Sequence, residues 1–203
     1  MLYLYLALSF AAVLVFARKP IHCPLLFLGT FLALLLIHAL VLAVASLFVN
    51  KKDPDPRRFS FFRKLLVGSI PLLLQLGGIQ VSLVGANALP EGGFLLVGNH
   101  RSDFDPITAM YAFGKRGLTF VTKKENVSIP VAGRLIVGAG CLSLDRNDDK
   151  QGLLVIRQAV RRIQKGEAIG IYPEGTAPKP ASCSPFGWAA SRPPSGPNAP
   201  WWS

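Results

Sequence analysis

Apolar positions dominate the first fifty residues and then give way to short blocks of alternating character. Leu2–Ala17 carries no charge, and Cys23–Asn50 has His38 as its one strongly polar interruption. A helix needs about 20 apolar residues to cross a bilayer core, so the second run is long enough and the first is slightly short. No basic segment precedes the first run, and Arg18-Lys19 leads straight into the second, so an uncleaved helical hairpin is predicted in place of a signal peptide. Residues 51–58, Lys-Lys-Asp-Pro-Asp-Pro-Arg-Arg, then form a stiff polar linker.

After the linker the period changes. Phe59–Leu76 is apolar and aromatic with Arg63 and Lys64 on its early turns, a pattern that suits a helix at a membrane interface and a core helix equally. Strands are predicted at Val81–Val84, Phe94–Val97, Leu118–Thr122, Cys141–Leu144 and Ala168–Tyr172, helices at Ile107–Phe113 and Gln151–Lys165, and a helix or the start of one at Val131–Val137. Strands alternating with helices predict an α/β sheet with helices on its faces. No internal repeat is visible.

Composition points to a membrane. The chain is 51% hydrophobic with 22 basic against 11 acidic residues, a formal charge of +11, and its mean hydropathy is +0.40. That is too apolar for an average soluble domain and basic enough to favour anionic surfaces. The link between the apolar runs holds Arg18 and Lys19, whereas Lys51, Lys52, Arg57 and Arg58 follow the second run. The larger cluster is therefore expected in the cytoplasm, together with the N-terminus and everything after the linker. His38 reads as an interhelical hydrogen-bond partner or a tolerated polar residue and not as a ligand. Cys23, Cys141 and Cys183 have no metal-ligand spacing and read as free thiols. The chain has no Walker loop, dinucleotide fingerprint or Cys/His cluster, so no cofactor, metal or nucleic-acid partner is expected.

Chemistry concentrates at Gly98-Asn99-His100-Arg101-Ser102-Asp103-Phe104-Asp105-Pro106. It follows a predicted strand, and Asp105-Pro106 reads as the N-cap and first position of a helix, so His100 and Asp105 should meet at one strand-to-helix junction. A carboxylate bonded to one imidazole nitrogen fixes the tautomer and makes the other a better base. Ser102 is the one hydroxyl within the stretch and lacks elbow glycines, so the base should activate a hydroxyl of the substrate. Arg146, after a predicted strand, reads as a phosphate ligand or as a surface arginine paired with Asp145 or Asp148.

Three blocks carry a family resemblance. Asn99–Asp105 looks like the NHxSxxD block of the glycerolipid acyltransferases related to 1-acyl-glycerol-3-phosphate acyltransferase. Gly140–Arg146 resembles their second block, and Tyr172–Thr176 their third, in family order over about residues 60–176. The resemblance implies His100 and Asp105 as catalytic residues, and Arg146 with Glu174, Gly175 and Thr176 as ligands of a substrate phosphate. Lys124 joins them because Lys123, Lys124 and Glu125 resemble the KKE opening of the second block, although a charged loop edge reads equally well. It further implies transfer of an acyl group from acyl-CoA or acyl carrier protein to the sn-2 hydroxyl of lysophosphatidic acid, giving phosphatidic acid. The expected setting is a bacterial cell membrane, with membrane lipids around the anchor and the catalytic part on the cytoplasmic face. The division expected is a membrane anchor over 1–50, the linker over 51–58 and an acyltransferase domain over 59–176.

From residue 177 the chain departs from that family. Ala177–Ser203 is rich in Pro, Ser, Ala and Trp, with Lys179 and Arg192 as its charges and no secondary-structure period. Loss of one nucleotide after the Thr176 codon turns a coding sequence for RAKTGELLPFRMGGFKAALRAQCPLVV into one for this segment throughout. The expectation is therefore a frameshifted, disordered tail on an acyltransferase sheet truncated at its C-terminus. The alternative function is a catalytically incompetent, membrane-bound fragment of such an enzyme.

Overall fold

The computed structural model describes residues 1–173 except 18, 53, 55 and 86–88. Along the described residues run α1 (Leu2–Phe16), α2 (His22–Leu47), α3 (Phe59–Leu76), β1 (Phe94–Val97), α4 (Asp105–Ala112), β2 (Thr119–Lys123), α5 (Lys124–Ser128), α6 (Ala132–Gly138), β3 (Leu142–Leu144), α7 (Asp149–Gln164) and β4 (Ala168–Ile171). The chain is thus mixed α/β, with apolar helices first. Packing separates two compact units, one of Met1–Ser82 with Ser128–Gly140 and one of Leu83–Val127 with the chain from Cys141.

The first unit is helical. The 26 residues of α2 rise about 39 Å, more than the ~30 Å hydrocarbon core of a bilayer. The 15 residues of α1 rise about 22 Å and fall short of it. Among the described residues, two helical segments are long and apolar enough to cross a membrane, His22–Leu47 and Pro56–Leu76, the second being α3 with the 3-10 turn before it. A polar chain ties the three helices together. The Tyr5 hydroxyl of α1 meets His38 Nδ1 of α2 at 2.9 Å, and His38 Nε2 meets Ser69 Oγ of α3 at 3.1 Å. Such contacts between apolar helices contribute about 0.6–2 kcal/mol each. At the other end, α6 approaches so closely that a Cβ on Gly138 would lie 2.8 Å from Val49 and 3.0 Å from the Phe62 ring.

The second unit is built on a parallel sheet of order β1-β4-β2-β3. Parallel strands need helical crossovers, and α7 supplies one between β3 and β4. Its Val155 and Ala159 pack with Leu142 and Ile169, and Ile163, Leu95, Val121 and Leu144 close around them. Asp148 caps α7 by accepting from the Gln151 N–H at 3.0 Å. Buried Arg162 donates to Glu167 at 2.6 Å and to the Thr119 hydroxyl at 3.3 Å, so its charge is paired where the crossover returns to the sheet.

Three local expectations are corrected. Val81–Val84 is not a strand; Val84 is 90% exposed, and so short a segment makes a strand only where a sheet edge pairs with it. Asp105 is the first residue of α4, with Phe104 at the cap position, and its carboxylate reaches backwards to the preceding loop. Lys124 and Glu125 open the short helix α5 and are not a loop edge.

Candidate active site at the C-terminal edge of the sheet

Because all four strands run parallel, their C-terminal ends lie along one edge, where open α/β sheets hold their ligands. The nominated residues follow from this topology: His100 and Asp105 come after β1, Lys124 after β2, and Arg146 after β3. The chain leaves β4 at the same edge through Tyr172 and Pro173. Glu174, Gly175 and Thr176 lie outside the described residues, as do Cys183 and the tail expected at 177–203.

Asp105 organises the loop after β1. Its Oδ2 accepts from the backbone N–H of Arg101 at 2.6 Å and of Ser102 at 2.7 Å, and lies 3.3 Å from His100 Nδ1. The two amides are the tighter contacts, so the carboxylate first closes the loop and then orients the ring. An ionised carboxylate only accepts, which puts the imidazole hydrogen on Nδ1. A proton taken up by the ring then goes to Nε2. Ser102 is used within the loop, its Oγ accepting from the Phe104 N–H at 3.2 Å.

The His100 side chain is 13% exposed, and its ring stacks on Tyr172 with centroids 4.7 Å apart. Tyr172 stacks in turn on Phe120, at 5.3 Å and an interplanar angle of 4°. This three-ring pile needs a glycine beneath it. A Cβ on Gly170 would lie 2.2 Å from the Phe120 ring. Burial pushes the Tyr172 phenol well above its ordinary value of 10.0, and the negative charge of Asp105 adds to the shift. Tyr172 therefore faces the histidine as a neutral ring at physiological pH. Tyr172 and Phe120 were not singled out as site residues; the Gly170-Ile171-Tyr172 alternation, a glycine followed by an aromatic at a strand end, was the available signal.

The second group on this edge lies after β2 and β3. Lys124 Nζ donates to Asp145 Oδ2 at 2.8 Å, beside Arg146, which is exposed in the turn that follows. Each charge favours the other: the Lys124 hydrogen bond raises the lysine's pKa, and Lys124, followed by the Asn147 N–H, holds the Asp145 carboxyl below its ordinary range. Gln151 fixes the corner from α7, donating to the Ser143 carbonyl at 2.7 Å and accepting from the Asp145 N–H at 2.9 Å.

Residues 80–192 match the protein family described as Acyltransferase, more than half of the chain. The chain belongs to the acyltransferase family. Within the matched span lie His100, Asp105, Lys124, Arg146 and Glu174–Thr176. A probable 1-acyl-sn-glycerol-3-phosphate acyltransferase of Mycoplasma pneumoniae is 30% identical over 147 residues, 70% of this chain and 53% of the relative. The 1-acyl-sn-glycerol-3-phosphate acyltransferase of Borreliella burgdorferi is 26% identical over 120 residues, 59% of this chain and 47% of the relative. That of Saccharomyces cerevisiae is 26% identical over 100 residues, 49% and 33%. This acyltransferase-family chain thus spans about half the length, or less, of the curated relatives it matches.

Proposed function

We propose that the chain transfers a fatty acyl group from a thioester, acyl-CoA or acyl carrier protein, to the sn-2 hydroxyl of 1-acyl-glycerol-3-phosphate. The observation that carries this reading is the His100–Asp105 pair at the C-terminal edge of the sheet. His100 Nε2 takes the hydroxyl proton as the oxygen attacks the thioester carbonyl, and the imidazolium returns the proton to the departing thiolate. Asp105 holds the tautomer and stabilises the transient charge. No acyl-enzyme is formed. Arg146, Lys124 and Glu174–Thr176 hold the acceptor's phosphate, the arginine by a bidentate contact. Residues 1–50 anchor the chain with its basic linker on the cytoplasmic side, and 59–176 carry the chemistry. An acceptor and product with acyl chains remain in the bilayer, so the hydroxyl is met at its surface.

The test is phosphatidate formation by membranes containing this chain, given labelled acyl-CoA or acyl carrier protein with lysophosphatidate. Product from the wild type supports this reading. Arg146→Ala should raise the apparent KM for the acceptor more than that for the donor, since a charge-assisted contact contributes about 1.5–3 kcal/mol; equal effects on both would remove the arginine from the phosphate site. Absence of product from the wild type favours the second reading, a membrane-bound chain without activity, to which the change of composition at residue 177 points.

A further inference from the structure

A cleft of about 680 Å³ opens between α2 and α3, within the ~300–1,000 Å³ range of small-molecule sites. One wall includes Leu40 and Val44 of α2 and Phe48 at its C-cap, spaced four residues apart and so in line along that side of the helix. Phe61 of α3 faces them across the cleft, and all four side chains are exposed, Phe48 by 65% and Phe61 by 62%. The polar members of the lining include Arg57 and Arg58, at the turn where the chain enters α3. Residues 51–58 carry four cations, Lys51, Lys52, Arg57 and Arg58, against Asp53 and Asp55, a net charge of +2. An apolar stripe ending at two guanidiniums matches a molecule with a hydrocarbon chain at one end and an anion at the other.

We infer that the α2–α3 cleft is a binding site for an anionic phospholipid, with one acyl chain along the Leu40, Val44 and Phe48 stripe and the headgroup phosphate on Arg57 and Arg58. Arginine's planar fork suits phosphate oxygens and is weakly enough hydrated to bind at a membrane boundary. A free phosphate would leave the stripe bare, and an uncharged lipid would bring no anion to Arg57 and Arg58. Bulk lipid alone fills an apolar groove without preference, whereas the arginines select by charge. The inference rests on the membrane reading of the apolar helices. Occupancy would fill the groove between α2 and α3 with lipid, separately from the acceptor that the sheet edge is proposed to hold.

The experiment extracts the full chain in neutral detergent from bilayers of equal phosphatidylglycerol and phosphatidylcholine and counts retained lipids by native mass spectrometry. One phosphatidylglycerol per chain is expected on the wild type. Arg57→Gln with Arg58→Gln should reduce the preference over phosphatidylcholine by roughly fivefold per arginine. Val44→Trp should fill the stripe and displace the lipid while leaving the arginines in place. If Val44→Trp does not fold, the arginine variant decides alone. Wild-type protein that enters membranes but retains the two lipids in bulk proportion, or an arginine variant with unchanged preference, overturns the site. A change of oligomeric mass in Val44→Trp assigns the face to a second copy and also overturns it. Recovery of the wild type in the soluble fraction removes the membrane reading itself, and the site with it.

Discussion

His38 and His100 are each met at Nδ1 by an oxygen, but one oxygen belongs to a phenol between apolar helices and the other to a carboxylate at a sheet edge. His38 has a second hydroxyl, Ser69, on Nε2, so both nitrogens serve a contact that joins α1, α2 and α3. The hydroxyls give His38 two neutral partners. Asp105 gives His100 a carboxylate, which two backbone amides fix in place. The partner, more than the histidine or its burial, separates a helix tie from the base we propose.

Substituting each histidine breaks this comparison most directly. His100→Ala should reduce acyl transfer by about 10²–10⁴-fold with little change in folding, the usual contribution of a general base. His38→Ala should leave turnover per folded molecule unchanged and lower helix-unit stability by about 1–3 kcal/mol, because Tyr5 and Ser69 each lose a partner. Rates in membranes and thermal unfolding in detergent read the two effects. A His38→Ala protein that is stable and inactive, or a His100→Ala protein that is active, would reverse the assignment.

Gly170→Ala should come next, through packing. The added methyl meets the Phe120 ring at 2.2 Å, inside any tolerated contact, so Phe120 must leave its stack with Tyr172. Overpacking of this kind costs about 1–3 kcal/mol, and activity should fall as the support under His100 shifts. An unfolding midpoint and rate equal to the wild type's would show that the ring pile does not hold the histidine.

Tyr172→Phe sharpens the same point at lower cost. The tyrosine's pKa is raised in the folded chain, so its contribution to stability is fully present below its unfolded value of 10.0 and is lost as pH rises towards the folded one. Phenylalanine keeps the stack and cannot ionise. The variant should match the wild type near neutrality and exceed its stability above about pH 10, as alkaline unfolding curves would record. Tyr172→Leu, which removes the stack, should lower activity even at neutral pH. Equal activity in the two variants would remove the ring from the support of His100.

What the sequence made legible was local. Phe59–Leu76 is a helix with the predicted limits, and α2 and α7 lie within a few residues of their periodic patterns, since amphipathy or continuous apolarity over three or more turns leaves little choice. The His100–Asp105 contact was legible because five residues separate the pair across one junction. Val81–Val84 was misread because four residues carry too little period, and whether they pair is decided by a distant edge. The five residues of α5 are similarly too short to show a helical repeat. The His100–Tyr172–Phe120 pile and the Arg162–Thr119 contact join segments 43 or more residues apart. Alternation within either segment does not reveal them.

The smallest effect is expected at Lys124 and Asp145, where the same edge faces water. The two are hydrogen-bonded at 2.8 Å, but the lysine side chain is 66% exposed, so solvent screens most of the attraction. Asp145 has a lowered pKa, so its contribution is present above its ordinary value of 3.8 and is lost as pH falls through the folded one. Lys124 has a raised pKa, so its contribution is present below 10.5 and is lost as pH rises through the folded value. Lys124→Ala should therefore lower stability slightly and evenly between those limits, and not at either extreme. At 1 M salt, where screening acts within about 3 Å, the difference should nearly vanish. Any larger effect of Lys124→Ala must come from the substrate, as a raised KM for lysophosphatidate at unchanged unfolding midpoint. Asp145→Asn separates the two roles, because it removes the ion pair and leaves the lysine's charge available. If Lys124 binds phosphate, Asp145→Asn should bind the acceptor at least as well as the wild type while losing the same small increment of stability; a KM raised equally in both variants would make the ion pair a structural support of the Arg146 turn.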